Sequence, residues 1–169
     1  VMLVCAMNPC PCGFYGHPTR PCTCSSGAAS RYVNRVSGPL LDRIDIHIEV
    51  PPVNFDELSA NAKAESSAKI KERVNKARKI QLERLSGTGA ACNAKMSAAQ
   101  TKEFCQMTPE AKTMLKSAFE KLALSARAYD KILRVARTVA DLESCEVIDT
   151  AHISRAIQFR SLDRKFWGR

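Results

Sequence analysis

Ser125-Ala126-Arg127-Ala128-Tyr129-Asp130-Lys131-Ile132-Leu133-Arg134-Val135-Ala136-Arg137-Thr138-Val139-Ala140-Asp141-Leu142 organises the larger part of this chain. Tyr129, Ile132, Leu133, Val135, Ala136, Val139 and Leu142 recur at the three- and four-residue spacing that lines one face of an α-helix. Ser125 precedes the stripe as an N-cap. A helix with so wide an apolar face needs other helices to cover it, and the flanking sequence supplies them. Downstream, Asp149 or Thr150 caps a helix holding Ile153, Ala156, Ile157 and Phe159. Upstream, Thr108 followed by Pro109 is a cap with proline at the first helical position. The helix it opens buries Met114, Leu115, Ala118, Phe119 and Leu122. Ser97 with Gln100 fits a capping box for a short helix reaching about Cys105. Before a linker of small residues over 86–96, Ile70, Val74, Ala77, Ile80 and Leu85 mark a longer helix that Ser86-Gly87-Thr88-Gly89 stops.

The first third reads differently. Residues 1–7 are continuously apolar, as in a strand buried on both faces of a parallel sheet. The proline, glycine and cysteine content of residues 8–30 makes them a loop. Over 44–50, Ile44, Ile46, Ile48 and Val50 alternate with Asp45, His47 and Glu49, the pattern of a half-buried strand, and Pro51-Pro52 ends it. The expected fold is therefore mainly α with a small α/β remnant. Residues 1–53 form the end of an α/β sheet domain, and residues 54–169 form a helical bundle. Val1 falls inside what reads as a core strand, so further chain upstream is expected.

The 169 residues carry 26 Lys and Arg against 17 Asp and Glu, a formal net charge of +9. Such a surplus favours a polyanionic partner, with nucleic acid the leading one. It is concentrated over 61–84, where eight basic residues face three acidic ones. Lys69, Arg73, Lys76 and Lys79 on that helix are candidate phosphate contacts. The plain alternative is a lysine-rich outer face opposite a buried stripe. With no aromatic platform for base stacking, any nucleic-acid binding would be largely sequence-independent and strongly salt-dependent. No secretory signal and no membrane-length apolar run is present, and eight cysteines in a helix-rich chain point to a reducing cytoplasm.

Four of those cysteines form two C-x-C pairs, Cys10/Cys12 and Cys22/Cys24. Four thiolates on loops suit a structural Zn²⁺, with His17 a substitute ligand. Free thiols or a redox disulfide are the alternatives. The insert between the pairs carries Phe14, Tyr15, His17 and Arg20, which would sit on a projecting knuckle.

Three runs carry a family resemblance. They are Met7-Asn8-Pro9-Cys10-Pro11-Cys12-Gly13, then Arg31-Tyr32-Val33-Asn34-Arg35-Val36-Ser37-Gly38-Pro39-Leu40-Leu41-Asp42-Arg43-Ile44-Asp45, and finally Leu133 through Glu143. With Glu65-Ser66-Ser67 leading the basic helix, they resemble the magnesium-chelatase-like AAA+ ATPases, and within them the bacterial competence-protein (ComM/YifB) group. The resemblance covers the C-terminal third of such proteins: the last strands of the ATPase core, then a helical lid. It implies ATP and Mg²⁺ as cofactors, self-assembly into a ring such as a hexamer, and helicase-like branch migration on DNA during natural transformation. By resemblance Asn8 is the sensor that orients the attacking water, and Arg43 is the arginine finger reaching a neighbouring subunit, with Arg31 and Arg35 as runners-up. Arg127 matches the lid arginine that contacts phosphate, with Arg134 and Arg137 the other candidates. A turn-forming Asn, a local ion pair of Arg43 with Asp42 or Asp45, and solvated charge at Arg134 and Arg137 are the plain alternatives. No G-x-x-x-x-G-K-[ST] run occurs, so the chain alone is expected to be inactive towards ATP. Two rivals stand beside this reading: a magnesium-chelatase subunit serving metal insertion into a porphyrin, and a non-enzymatic zinc-stabilised DNA-binding module.

Overall fold

The computed structural model describes residues 2–52 and 64–160. The chain divides into two compact units, with 2–52 in the first and 64–160 in the second. The expected boundary at 53/54 falls outside the described residues, as do 161–169.

Among the described residues of the first unit, regular structure is limited to two short helices. Helix α1 spans Ala28–Val33 and α2 spans Gly38–Leu41. Ser37 caps α2, its Oγ accepting from the Leu40 N–H at 3.3 Å, and Pro39 sits in the first turn. The described residues of this unit bury Cys10, Val33 and Leu41 and leave most other apolar side chains in solvent. The two expected strands are corrected here: neither 2–7 nor 44–50 belongs to a ladder among the described residues. Ile48 is 66% exposed and Val50 83%. Alternation dictates which face a strand would bury, but a strand exists only beside another strand, and no described segment offers these runs an edge.

The regular elements among the described residues of the second unit are helical: α3 Ser67–Arg84, a 3₁₀ turn Asn93–Lys95, α4 Ala98–Phe104, α5 Pro109–Lys121, α6 Ala126–Leu142 and α7 Thr150–Gln158. Its caps follow the sequence. The Ser97–Gln100 capping box is formed in both directions, Ser125 accepts from the Ala128 N–H, Thr108 from that of Ala111, and Asp149 opens α7. Helix α6 is central and packs on α3, the 3₁₀ turn, α4 and α7, while α5 packs on α7. Their shared core contains Leu85, Met96, Leu115, Ile132, Leu133, Ala136, Ala140, Ile148 and Ile153. A single parallel bridge, Met107 with Ile148, ties the α4–α5 junction to the α6–α7 junction.

Helices α5 and α6 both end by reversing direction through a left-handed residue. After α6 that residue is Ser144 (φ 60°), and the Cys145 N–H donates back to the Ala140 carbonyl at 2.8 Å. After α5 it is Ala123 (φ 44°), and Leu124 donates to Phe119 at 3.1 Å. Glycine usually holds this position; a Cβ there is strained.

The expected stripe of α3 is only half buried. Ala77, Gln81 and Leu85 face the core, but Ile70 is 42% exposed and Val74 44%. Only the C-terminal half of this helix meets α6, so the first turns keep all their side chains in solvent. Among the described residues no helix is long and apolar enough to cross a membrane.

Candidate functional site

The loop before α1 folds back on itself through tight turns. Gly13 donates to the Cys10 carbonyl at 3.0 Å and His17 to that of Phe14 at 3.1 Å. Gly13 adopts φ +83°, and a Cβ there would lie 3.8 Å from the Asn8 carboxamide nitrogen. The positive φ of this turn favours glycine, and the Asn8 carboxamide lies at ordinary van der Waals range of that position. The fold brings the two C-x-C pairs together, with the four sulfurs all within 4.8 Å of one another. Cys10 Sγ lies 3.3 Å from Cys12 and 3.8 Å from Cys22, and Cys12 lies 3.5 Å from Cys22. A disulfide holds its sulfurs at about 2.05 Å, so these are four thiols. Cys10 is fully buried and the other three are half-buried.

Crowding splits the acidities of the cluster. A backbone hydrogen bond from Phe14, with help from the neighbouring thiols and against the effect of burial, lowers the Cys12 pKa to about 5. At Cys24 a backbone bond from Cys12 favours the thiolate. Burial and the adjacent sulfurs outweigh it, raising the pKa to about 12. Like charges held this close cannot all ionise unless a cation joins them.

His17 is not part of this group. Its Nδ1 accepts from the Arg20 and Thr19 N–H groups at 3.1 and 3.2 Å, and its ring meets Phe14 edge-on at 5.7 Å. Arg20 in turn lies over the Phe14 ring at 5.4 Å. The substitute-ligand expectation for His17 is thus replaced by a local one, a histidine that braces the loop tip. A second donor group, Glu143, Cys145 and His152, joins the end of α6 to the start of α7. There His152 Nδ1 accepts from the Asp149 N–H at 3.0 Å as part of the α7 cap.

Asn8 and Arg43 are exposed in the first unit, and Arg31 and Arg35 are exposed on and just after α1. Arg43 donates to the Pro39 carbonyl at 2.7 Å, which ties its guanidinium to α2. The three lid candidates part company. Arg127 is exposed in the first turn of α6. Arg134 reaches Thr101 Oγ1 at 3.3 Å and the Ala94 carbonyl at 3.4 Å, joining α6 to α4 and the 3₁₀ turn. Arg137 is 1% exposed. It donates to Asp141 Oδ1 at 3.1 Å and to the carbonyls of Cys145 and Glu146. Burial lowers its pKa while Asp141 opposes the shift.

Asp141 is the hub of a buried polar network that the apolar stripe of α6 conceals. Arg84 grips both of its oxygens at 2.7 and 2.6 Å, and Asn93 Nδ2 donates to Oδ2 at 2.8 Å and to Thr138 Oγ1 at 3.0 Å. The i,i+4 spacing of Arg137 and Asp141 is the one signal of it in the sequence. The distant partners Arg84 and Asn93 leave none in the local pattern.

On α3, Lys69, Arg73 and Lys76 fall on one side of the helix, and all are exposed with Lys79. Arg73 is paired with Glu65 at 2.9 and 3.2 Å, and Lys79 lies 3.9 Å from Glu83.

Each unit matches a known family. The family described as magnesium chelatase, subunit ChlI C-terminal, matches residues 64–160, and that described as magnesium chelatase, subunit ChlI, matches residues 1–58. Competence protein ComM of Haemophilus influenzae is 40% identical over 164 residues, which is 96% of this chain and 31% of that protein. The protein YifB of Escherichia coli K12 is 38% identical over the same shares. The chain thus spans 31% of the length of these relatives. With one match over each compact unit, the chain belongs to the magnesium chelatase subunit ChlI family.

Proposed function

We propose that this chain supplies the sensing and lid elements of a ring-forming AAA+ ATPase that moves on DNA, with ATP and Mg²⁺ as cofactors. The supporting observation is the family match across both units, together with likeness to a competence protein along almost the whole chain. On this reading Asn8 orients the attacking water and Arg127 contacts phosphate in its own subunit. Arg43 crosses to the neighbouring subunit's nucleotide, where a guanidinium stabilises the charge of phosphoryl transfer. The exposure of all three residues suits these roles. Arg134 and Arg137 are assigned to holding the lid together. Lys69, Arg73, Lys76 and Lys79 are assigned to the DNA backbone. The test is ATP hydrolysis by the full-length protein with and without DNA. Stimulation should fall steeply with salt, and changing Lys69 and Lys76 to Ala should lower the salt slope of DNA binding by about 0.9 for each phosphate no longer neutralised. Salt-insensitive turnover without DNA stimulation would contradict the proposal. The family's description also favours a chelatase reading, and metal insertion into a porphyrin by the same preparation would support that instead.

A further inference from the structure

We propose that Cys10, Cys12, Cys22 and Cys24 hold one structural zinc ion, closing residues 10–24 into a knuckle beside which the Asn8 carboxamide lies. Zinc bound to four thiolates at about 2.3 Å sets its ligand sulfurs about 3.8 Å apart in a tetrahedron. The sulfur separations here, 3.3, 3.5 and 3.8 Å, fall on that scale. They are far beyond a disulfide and too short for sulfurs spread around a multi-iron cluster. Ligand type adds selectivity. Four soft thiolates in a closed tetrahedral set exclude calcium and magnesium, which take oxygen, and leave no open position for a substrate. His17 is turned to backbone donors, so the set is sulfur alone.

The unit also needs such a fastening. Its described residues bury only Cys10, Val33 and Leu41 among apolar side chains. The two C-x-C pairs close a loop beside which the described residues offer little other core, and small units of this kind are commonly fastened by a metal. The metal site stands on the thiols alone. Its bearing on Asn8 rests on the sensor reading proposed above, through the nearness of the Asn8 carboxamide to Gly13.

Elemental analysis of the reductively purified chain should find about one zinc per chain, given one tetrahedral set. The variant C10S/C22S should fall to background, and H17A should keep its metal. Because the double variant could misfold, the chelator-stripped wild type is also titrated with Co²⁺. Saturation at one equivalent, with the intense visible bands of a tetrahedral tetrathiolate, supports the site. Iron in place of zinc, metal retained by the double variant, or no cobalt spectrum overturns it. The side-chain amide resonance of Asn8, followed by NMR, should shift when metal is removed. An unshifted resonance removes the Asn8 coupling while leaving the metal site intact, and neither result depends on ATP turnover.

Discussion

The two units of this chain are held by different means. In the helical unit, α6 buries a continuous apolar face against its neighbours, and the caps of α4, α5, α6 and α7 each satisfy backbone groups at helix starts. In the first unit the apolar residues of 2–7 and 46–50 lie largely in solvent, and the closest-knit feature is four converging thiols. Burial of a face holds one unit together. The other is ordered by turns and by cysteine geometry.

The sharpest way to break the first side of that contrast is Asp141→Ala. It leaves Arg84 and Arg137 without their shared carboxylate inside the core and should cost about 3–5 kcal/mol, read from urea unfolding. A cost under about 1 kcal/mol, the worth of an exposed pair, would mean the network is solvated. Next comes a matched pair of truncations. Ile132→Ala should destabilise by about 2–5 kcal/mol through its cavity. Ile70→Ala, on the exposed half of α3, should change stability by less than about 0.5 kcal/mol. Equal losses would show that α3 is buried along its whole length. The smallest effect is a gain: Ser144→Gly relieves a left-handed Cβ and should add up to about 1 kcal/mol, seen as a raised denaturation midpoint.

These same features explain what the sequence makes legible. The helices can be read because periodicity, Ser125, Thr108-Pro109 and the Ser97–Gln100 box are local signals that agree with the final packing. The strands mislead because alternation over 44–50 is also local, whereas a ladder needs a partner segment. Helix α1 escapes notice because six residues carry too little periodicity to be distinguished from the loop. At the site, the pairing of Cys10/Cys12 with Cys22/Cys24 is visible in spacing. The withdrawal of His17 and the burial of Arg137 are not, since both depend on which neighbours tertiary folding brings to them.

The most direct measurement on the proposed function mixes two inactive full-length variants, Asn8→Ala and Arg43→Ala, and records ATP hydrolysis. If each nucleotide site in a head-to-tail ring is built from Asn8 of one subunit and Arg43 of the next, random mixing restores intact sites at about a quarter of interfaces. Turnover should then reappear at about that fraction of the unsubstituted rate. A mixture as inactive as its components would contradict it, because both residues would then serve the same subunit's nucleotide.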